Sequence, residues 1–358
     1  MKEQLIRKVT GGLLTCALMF GVAPVEAGFD LCCINKCEHT KYYVAAAAQY
    51  YFPGNTDTRY AVAGATDLNA AGDNASFAKQ NDQYIKTGGS WGFKVLGGVD
   101  YEWISFQGTY ERWTNEQVES VVRGTGQGAF VTVPGAAGNW RRVRGRQELT
   151  NQKATLWASI PVCTACYWIT ALNFVATYVD LEQELTINAA NPILAGVEQG
   201  SVGLGRANSR FRGGGIGFGI SQESPLPIEG WWLGGYFHFD GLVGESAANV
   251  SQFRVIPVVG ATPGQDLTLR QRSQAYWIPH VESAFVFGYT YDCACVRIKA
   301  RAGWIWNIYF NALFDAPTEG FTSRGVPIGV NQAPNQLRES AFKTLSYGGP
   351  VIYLGAIF

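Results

Sequence analysis

Two histidines in the second half of the chain each lie two residues from a carboxylate. His238 precedes Asp240, and His280 precedes Glu282. A two-residue spacing places both side chains on the same face of a β-strand, and a histidine paired with a carboxylate can serve as a general base. Such pairs are also common in the polar lining of a barrel, and no diagnostic nucleophile accompanies them. We therefore expect a lining role and no enzymatic activity.

The cysteines form a second group with chemical potential. Seven follow the first 27 residues, and they occur as CC, CxxC and CxC clusters: Cys32, Cys33, Cys37, Cys163, Cys166, Cys293 and Cys295. In an oxidising compartment these residues predict disulfides, and the odd number leaves at least one thiol for a bond between molecules. Inert reduced thiols and a zinc site are the alternatives, but CC and CxC spacings suit zinc poorly. We expect disulfides, no metal and no cofactor.

Basic and polar residues alternate with apolar ones along several segments. Over 296–310, Arg297, Lys299 and Arg301 share one face, and the opposite face is aliphatic and aromatic. Three basic residues on one strand are too costly to bury unpaired, so the charged face should contact water. The pore-lining candidates are Lys94, Arg210, Arg212, His238, Asp240, His280, Glu282, Arg297, Lys299 and Arg301. Their basic excess predicts a mild preference for anionic solutes.

Two further motifs are less specific. The glycine-rich GGGIGFG run has no GK[ST] after it, so we interpret its glycines as allowing a strand to bend. Four arginines crowd a segment expected to be an outer loop: Arg141, Arg142, Arg144 and Arg146. They form a solvated face or bind anionic host glycans or lipopolysaccharide, and we favour the solvated face.

The elements that position these residues are strands. Ten segments show period-two alternation, near 42–52, 90–101, 102–113, 150–162, 167–185, 209–222, 230–243, 275–291, 295–311 and 346–358. Short connections near 100–102, 163–166, 223–229 and 292–294 alternate with long ones near 53–89, 114–149, 186–208, 244–274 and 312–345. This arrangement predicts an all-β, transmembrane, antiparallel up-and-down β-barrel of about ten strands, or more if segments hide extra hairpins. An even strand number places both termini in the periplasm.

Both ends of the chain agree with export to an outer membrane. Residues 1–27 combine a basic start, an apolar run and a small-residue cleavage site, which predicts a signal peptide. Residues 28–358 are then a single barrel domain, with a short cysteine-containing periplasmic segment at 28–41. The last strand ends on Phe358, with Ile352, Leu354 and Ala356 on the same face. We interpret Phe358 as the barrel-insertion signal.

Composition excludes some classes of protein. The chain has 28 basic and 28 acidic residues, so a concentrated basic face for nucleic acid is not expected. Charged residues make up 16%, below the roughly 25% of typical soluble domains. Aromatic residues make up 13%, which suits girdles at a bilayer interface.

Several stretches resemble one protein family. They read SWGFKVLGGVDY, SRFRGGGIGFGISQES, WWLGGYFHFDGLVGE, HVESAFVFGYTY and RIKARAGWIWNIYFNALF. The last four are similar to the second half of the major outer membrane protein family of Legionella and chlamydia-like bacteria, most strongly over 206–244 and 281–358. The resemblance implies a β-barrel porin and a major surface antigen. Some members are implicated in attachment to host cells.

These observations lead to one expected function and one alternative. We expect porin-like passive diffusion of small hydrophilic solutes across the bacterial outer membrane. The alternative is a non-conducting adhesin or a disulfide-linked structural component of the envelope, because ten strands is close to the size at which side chains fill a barrel. Expected partners are outer-membrane lipid and lipopolysaccharide, the barrel assembly machinery, other envelope proteins through self-association or disulfides, and a host-cell surface ligand.

Overall fold

A computed structural model describes most of the chain. The described residues are 40–54, 58–66, 77–101, 103–122, 127–131, 139–165, 168–194, 197–198, 202–256, 267–270, 274–293, 296–314 and 342–358. Within these ranges no helix has the length and apolar character needed to cross a membrane. The predicted signal peptide and Cys32, Cys33 and Cys37 lie outside the described residues.

Fifteen β-strands occupy the described ranges. Their bounds are β1 (Lys41–Gly54), β2 (Thr58–Thr66), β3 (Phe77–Ile85), β4 (Ser90–Asp100), β5 (Ser105–Val122), β6 (Gln127–Val131), β7 (Asn139–Ala165), β8 (Trp168–Leu194), β9 (Val197–Glu198), β10 (Val202–Pro225), β11 (Trp231–Ile256), β12 (Leu267–Arg270), β13 (Gln274–Cys293), β14 (Val296–Phe314) and β15 (Phe342–Ile357).

Ten of these strands pair antiparallel into a closed ring. The order is β1, β4, β5, β7, β8, β10, β11, β13, β14 and β15, and β15 pairs back onto β1. Backbone hydrogen bonds between Tyr42 and Phe358 extend this closing pair to the last residue. A closed ring leaves no unpaired edge in the bilayer. The prediction of an all-β up-and-down barrel is therefore confirmed, and its ten predicted segments correspond to the ten ring strands.

The ring has two different ends. Connections of five residues or fewer join β4 to β5, β7 to β8, β10 to β11 and β13 to β14, and both chain ends of the ring, Lys41 and Phe358, lie beside them. We call this the short-turn end and the opposite one the long-connection end. Both ring termini thus share one end, and their periplasmic location remains a prediction.

The strands are longer than the sequence pattern indicates. Parts of the expected loops 114–149, 186–208 and 244–274 belong to β5, β7, β8, β10 and β11, which reach up to 27 residues. These strands continue past the region in which their outward side chains are apolar. Their outward positions then become polar, and the amphipathic signal disappears. The short strands β2, β3, β6, β9 and β12 pair beyond the ring path.

The outer surface carries an apolar band. Outward side chains on successive ring strands are large and exposed, among them Phe93, Phe106, Leu156, Phe174, Ile216, Phe218, Trp304, Ile352 and Leu354. Ile352, for example, is 65% exposed although it lies in a strand paired on both sides. An exposed belt of this kind is expected where lipid, and not water, is the solvent.

The interior is filled in three layers. Towards the long-connection end lies an apolar layer made of Tyr51, Trp113, Leu149, Val179, Leu181, Phe211, Leu242, Ile278, Tyr309, Ala312, Leu313, Leu345 and Tyr347. Towards the short-turn end lies a smaller one made of Ala47, Leu96, Ala284, Ile305, Val351 and Tyr353. A layer of buried polar and charged side chains separates them. This middle layer is the candidate functional site.

Candidate functional site

Four charged side chains form the centre of the middle layer. Lys94 on β4, Glu111 on β5 and Lys153 on β7 are register neighbours on three adjacent strands. All three point inward because of the strand alternation. Glu282 reaches them from β13, on the opposite wall of the ring. The four side chains are at most 3% exposed.

The four charges pair across the lumen. Lys153 Nζ lies 2.7 Å from Glu282 Oε2 and 3.5 Å from Glu111 Oε2. Lys94 Nζ lies 3.4 Å from Glu282 Oε1 and 3.8 Å from Glu111 Oε2. Two cations thus face two anions, and each is near both opposite charges. Such balance is needed where water is excluded, because an unpaired buried charge is very costly.

Neutral side chains add hydrogen bonds to both carboxylates. The Tyr236 hydroxyl donates to Glu282 Oε1 at 2.7 Å. The Tyr347 hydroxyl donates to Glu111 Oε1 at 3.2 Å, and Asn151 donates to the same oxygen at 3.4 Å. The carboxylates are therefore held by donors from both walls as well as by the lysines.

His280 extends the network towards β8. Its Nδ1 lies 3.0 Å from Asp240 Oδ2, and its Nε2 lies 3.2 Å from Asn307 Oδ1. Lys153 donates to the same Asn307 oxygen at 2.8 Å, which fixes that atom as an acceptor because an ammonium group cannot accept. His280 is thus held between Asp240 and Asn307, and Asn307 connects it to Lys153. Thr177 also donates to Asp240, at 2.8 Å.

The two-residue spacing places His238 with Asp240 on β11 and His280 with Glu282 on β13. Neither pair is joined by a hydrogen bond or an ion pair. His280 pairs with Asp240 on the neighbouring strand, its register partner. His238 contacts Asn173 at 3.1 Å and packs against Trp157, with ring centroids 4.3 Å apart. The spacing rule identified the correct face but not the partner, because cross-strand neighbours are closer than residues two apart on one strand.

The chemistry open to this layer is limited. His238, Asp240, His280 and Glu282 are each at most 2% exposed and are enclosed by the apolar layers, so a substrate in solution has no direct route to them. Among the described residues, no three His, Cys, Asp or Glu side chains are arranged to hold a metal ion. The geometry is that of a buried, charge-balanced network.

One sequence motif was missed. Residues 88–92 read GGSWG, which fits the GxSxG pattern of hydrolase nucleophiles. In the structure Ser90 is the first residue of β4, whereas the pattern requires a strand-to-helix turn. No described helix follows it. The motif therefore lacks the context that would make Ser90 a nucleophile.

The structure separates the pore-lining candidates into three groups, of which two point inward and one points outward. Lys94, His238, Asp240, His280 and Glu282 lie in the middle layer. Arg297, Lys299 and Arg301 point inward nearer the short-turn end, where Lys299 lies over the Trp232 ring at 5.3 Å and Arg301 over the Tyr353 ring at 4.9 Å. Arg297 pairs with Asp292.

Arg210 and Arg212 require a correction. They alternate with the fully buried Phe211 and therefore point outward, where both bind Asp180 on β8. They were expected in the lumen because a charged residue in a membrane strand normally faces inward. Here β10 has already left the apolar band, so its outward face is polar.

Sequence reasoning also missed three members of the layer, namely Glu111, Lys153 and Asn307. Lys153 lies two residues from the inward Asn151 and from the inward Thr155, so the period-two alternation of its strand was the available signal. Glu111 and Asn307 likewise occupy inward positions of recognised strands. What sequence could not supply was that β5, β7 and β14 bring these residues to the same height as Glu282.

Two of the seven cysteines belong to described strands. Cys163, near the end of β7, is exposed and forms no disulfide with another described cysteine. Cys293 ends β13 at the same short-turn end. Cys166 and Cys295 lie outside the described residues, as do the three near the N-terminus. The disulfide expectation therefore remains a prediction.

An ion-pair group lies on the outer surface beyond the apolar band. Arg210 Nη2 is 2.6 Å and Arg212 Nη2 is 3.0 Å from Asp180 Oδ2. Partial burial alone would raise the pKa of Asp180, but the hydrogen bonds and charges of the two arginines hold this pKa below its usual value. Arg206 pairs with Glu184 further along the same two strands, at 2.8 Å.

The lowered pKa of Asp180 gives a pH-dependent prediction. A carboxyl group whose pKa is lower in the folded state stabilises the fold above its unfolded pKa of about 3.9 and loses this effect as the pH falls through the folded value. We expect Asp180→Asn to cost about 1 kcal/mol or less at neutral pH, because the guanidinium groups are substantially exposed.

The measurement is urea unfolding of the refolded barrel across a pH series. The difference between wild type and Asp180→Asn should narrow as the pH falls below about 4. Glu182→Gln is the matched control, since Glu182 accepts from the neutral Asn208. A difference that stays constant with pH would contradict the assignment.

The fold and the site together define a class of protein. A closed antiparallel ring with an apolar outer band, a polar and charged middle layer and connections of unequal length is an outer-membrane β-barrel. Residues 176–357 match the family described as the Legionella pneumophila major outer membrane protein precursor. The match covers half of the chain, so the chain belongs to this family and is an outer-membrane protein. The resemblance and the localisation inferred from sequence are thereby confirmed.

Three solved structures of outer-membrane proteins are distant likenesses. The outer membrane protease OmpT from Escherichia coli has 8% identity and a TM-score of 0.35, with 90% of this chain and 97% of that chain covered. The TodX monoaromatic hydrocarbon channel deltaS2 mutant has 7% identity and a TM-score of 0.23, with 89% of each chain covered. A Pseudomonas aeruginosa FadL homologue has 8% identity and a TM-score of 0.22, covering 89% of this chain and 90% of that one. No protein with a curated description matches the chain.

Proposed function

We propose that this protein is a closed, non-conducting barrel that strengthens the outer envelope and presents its long-connection end at the cell surface. The observation that carries the proposal is the filled interior. Lys153, Glu111 and Trp113 are each at most 1% exposed although they point into the lumen. An open porin would leave the side chains lining its channel in contact with water.

The apolar layer adds weight to this proposal. Its members come from nearly every ring strand and include large rings such as Trp113, Tyr51 and Tyr309. Trp113 lies with its ring centroid 5.2 Å from that of Tyr51 and 5.0 Å from that of Tyr347. Such a layer opposes hydrated solutes more strongly than a polar constriction does, because water must be stripped from the solute.

Porin-like diffusion with a mild anion preference is the second candidate, and the charged layer favours it. Buried ion pairs are often neutral or unfavourable relative to apolar packing, so a seal does not by itself require Lys94, Lys153, Glu111 and Glu282. A conducting state would require both the charged layer and the apolar layer to rearrange. It would then bring the inward Arg297, Lys299 and Arg301 into the path.

Liposome swelling and planar-bilayer recording separate the two candidates. For well-folded protein, we expect swelling in small sugars at the protein-free rate and no sustained single-channel steps. A known open porin, reconstituted at equal density, is the positive control. Steady porin-sized steps would contradict the closed barrel, and anion selectivity of those steps would support the second candidate.

The remaining functional assignments are part of the same proposal. The short-turn end, with Phe358 as insertion signal, faces the periplasm and is read by the barrel assembly machinery. The protein is not an enzyme. Cross-links through cysteines at the short-turn end join it to copies of itself or to other envelope proteins, and the opposite end serves as surface antigen and contacts host-cell ligands.

A further inference from the structure

The apolar band is interrupted by a groove across four neighbouring strands. It has a volume of about 660 Å³ and lies on the outside of β4, β5, β7 and β8, and this volume is within the range of small-molecule sites. Its outward residues are Val95, Gly97, Gly108, Tyr110, Ala154, Leu156, Ala176 and Tyr178.

Small residues at paired positions create the groove. Gly97 and Gly108 are direct register partners, so two adjacent strands lack side chains at the same height. In the next row Ala154 separates Tyr110 from Tyr178, which leaves a gap between two exposed rings. The result is a depression with an aliphatic and aromatic rim.

The fold itself does not require these two glycines. A Cβ added to Gly97 would come no nearer than 3.6 Å to another atom, and one added to Gly108 no nearer than 3.9 Å. By contrast, a Cβ on the inward Gly215 would approach a backbone oxygen to 1.8 Å. Neither Gly97 nor Gly108 adopts a positive φ. The lack of side chains at Gly97 and Gly108 keeps space open on the lipid-facing surface, although the backbone does not require glycine at either position.

A cationic group lies at one end of the groove. Arg112 is the next outward residue after Tyr110 towards the long-connection end, and it is exposed. No ion-pair or hydrogen-bond partner for its side chain exists among the described residues. The nearest outward acid in its row, Asp180, is already bound by Arg210 and Arg212. Within the described part of the chain, Arg112 is thus a guanidinium without a bound acid at the edge of the apolar band.

This combination fits an amphiphile of defined chemistry. A groove in the lipid-facing surface accommodates hydrocarbon, and a guanidinium fork binds phosphate through paired charge-assisted hydrogen bonds. We propose that the groove binds an acyl chain of the phosphorylated glycolipid of the outer leaflet, with a phosphate on Arg112. The choice of leaflet rests on the proposed orientation. The site is independent of whether the barrel conducts.

The test measures lipid binding to the purified, refolded barrel in detergent by native mass spectrometry. The ligands are lipid A, which carries the acyl chains and phosphates, and phosphatidylglycerol. Gly108→Leu fills the groove without a backbone clash, and Arg112→Gln removes the charge. Ala300→Leu, on the lipid face of β14, and Arg206→Gln, at an exposed arginine of β10 that already pairs with Glu184, are matched controls.

We expect lipid A to bind wild type, and both groove variants to weaken it about tenfold or more, as loss of a charge-assisted contact or of the groove would. The control variants should bind like wild type. Equal binding in all variants would overturn the proposal, and equally tight phosphatidylglycerol would overturn the glycolipid assignment. If wild type is a dimer, and Gly108→Leu disrupts the dimer without changing lipid binding, the groove instead contacts a second copy of the chain. Circular dichroism and the heat-dependent gel shift show that each variant is folded.

Discussion

Replacing Glu282 with glutamine should lower the free energy of unfolding by about 3–5 kcal/mol, the usual cost of removing one partner from a buried ion pair. Glu282 is the anion that joins the two walls of the barrel. It contacts Lys153 at 2.7 Å and Lys94 at 3.4 Å and accepts from Tyr236. Without its charge, two buried ammonium groups share Glu111 alone.

Urea unfolding of the variant in vesicles measures this loss. Glu116→Gln is the matched control because its side chain is 49% exposed on the outer surface, where it pairs with Arg146, and its loss should cost below about 1 kcal/mol. The double variant Lys153→Met with Glu282→Gln leaves Lys94 and Glu111 as a balanced pair. We expect it to be more stable than Glu282→Gln alone. Strict additivity of the two changes would show that the charges are not coupled.

Replacing Trp113 with alanine should destabilise the barrel by about 3–5 kcal/mol through the cavity it leaves. Trp113 is 1% exposed and is among the largest fully buried side chains. It packs between Tyr51 and Tyr347 in the apolar layer. The surrounding strands are hydrogen-bonded on both sides, so they cannot move inward to fill the space.

The control for this prediction is a tryptophan on the other face. Trp91 is 68% exposed towards lipid, and lipid tails fill the space that Trp91→Ala leaves, so its loss should be clearly smaller. Unfolding in urea measures both variants. Equal losses would mean that the interior is not packed as described. Swelling of vesicles with Trp113→Ala should stay near the protein-free rate, because the charged layer still spans the lumen.

The architecture could be predicted because a membrane barrel displays its pattern along the strand. Alternation in 296–310 and 346–358 correctly separated the outward Trp304 and Ile352 from the inward Arg301 and Tyr353. Lipid demands an apolar outer face, so every spanning strand repeats the same signal. Where β7, β8 and β10 extend beyond the apolar band, their outward side chains need not be apolar. The alternation is lost there, and the pattern therefore predicts loops.

The site was less accessible to sequence reasoning for a different reason. The alternation of side chains along a strand indicates that Lys94 and Glu282 point inward. It does not indicate that the two side chains are in contact, because contact depends on the order of the strands in the ring, their stagger and the width of the barrel. The same limit explains His280, whose partner is Asp240 across the strand pair and not Glu282 along the strand. It also explains why a filled lumen could be stated only as an alternative: interior volume is a property of the closed ring.

The middle layer also bears on how the chain reaches its folded state. Lys94 and Glu282 are 188 positions apart, and Glu111 and Tyr347 are 236 apart, yet each pair is in contact. An incomplete ring would hold Lys94 and Lys153 with Glu111 as their single counter-charge, and Glu282 on a separate wall without either lysine. Each half of the chain would therefore place one uncompensated charge in hydrocarbon, which disfavours either half as a membrane intermediate. Assembly should be nearly all-or-none and slow, as contacts between distant segments require. Until β15 meets β1, the growing barrel must keep its lumen hydrated.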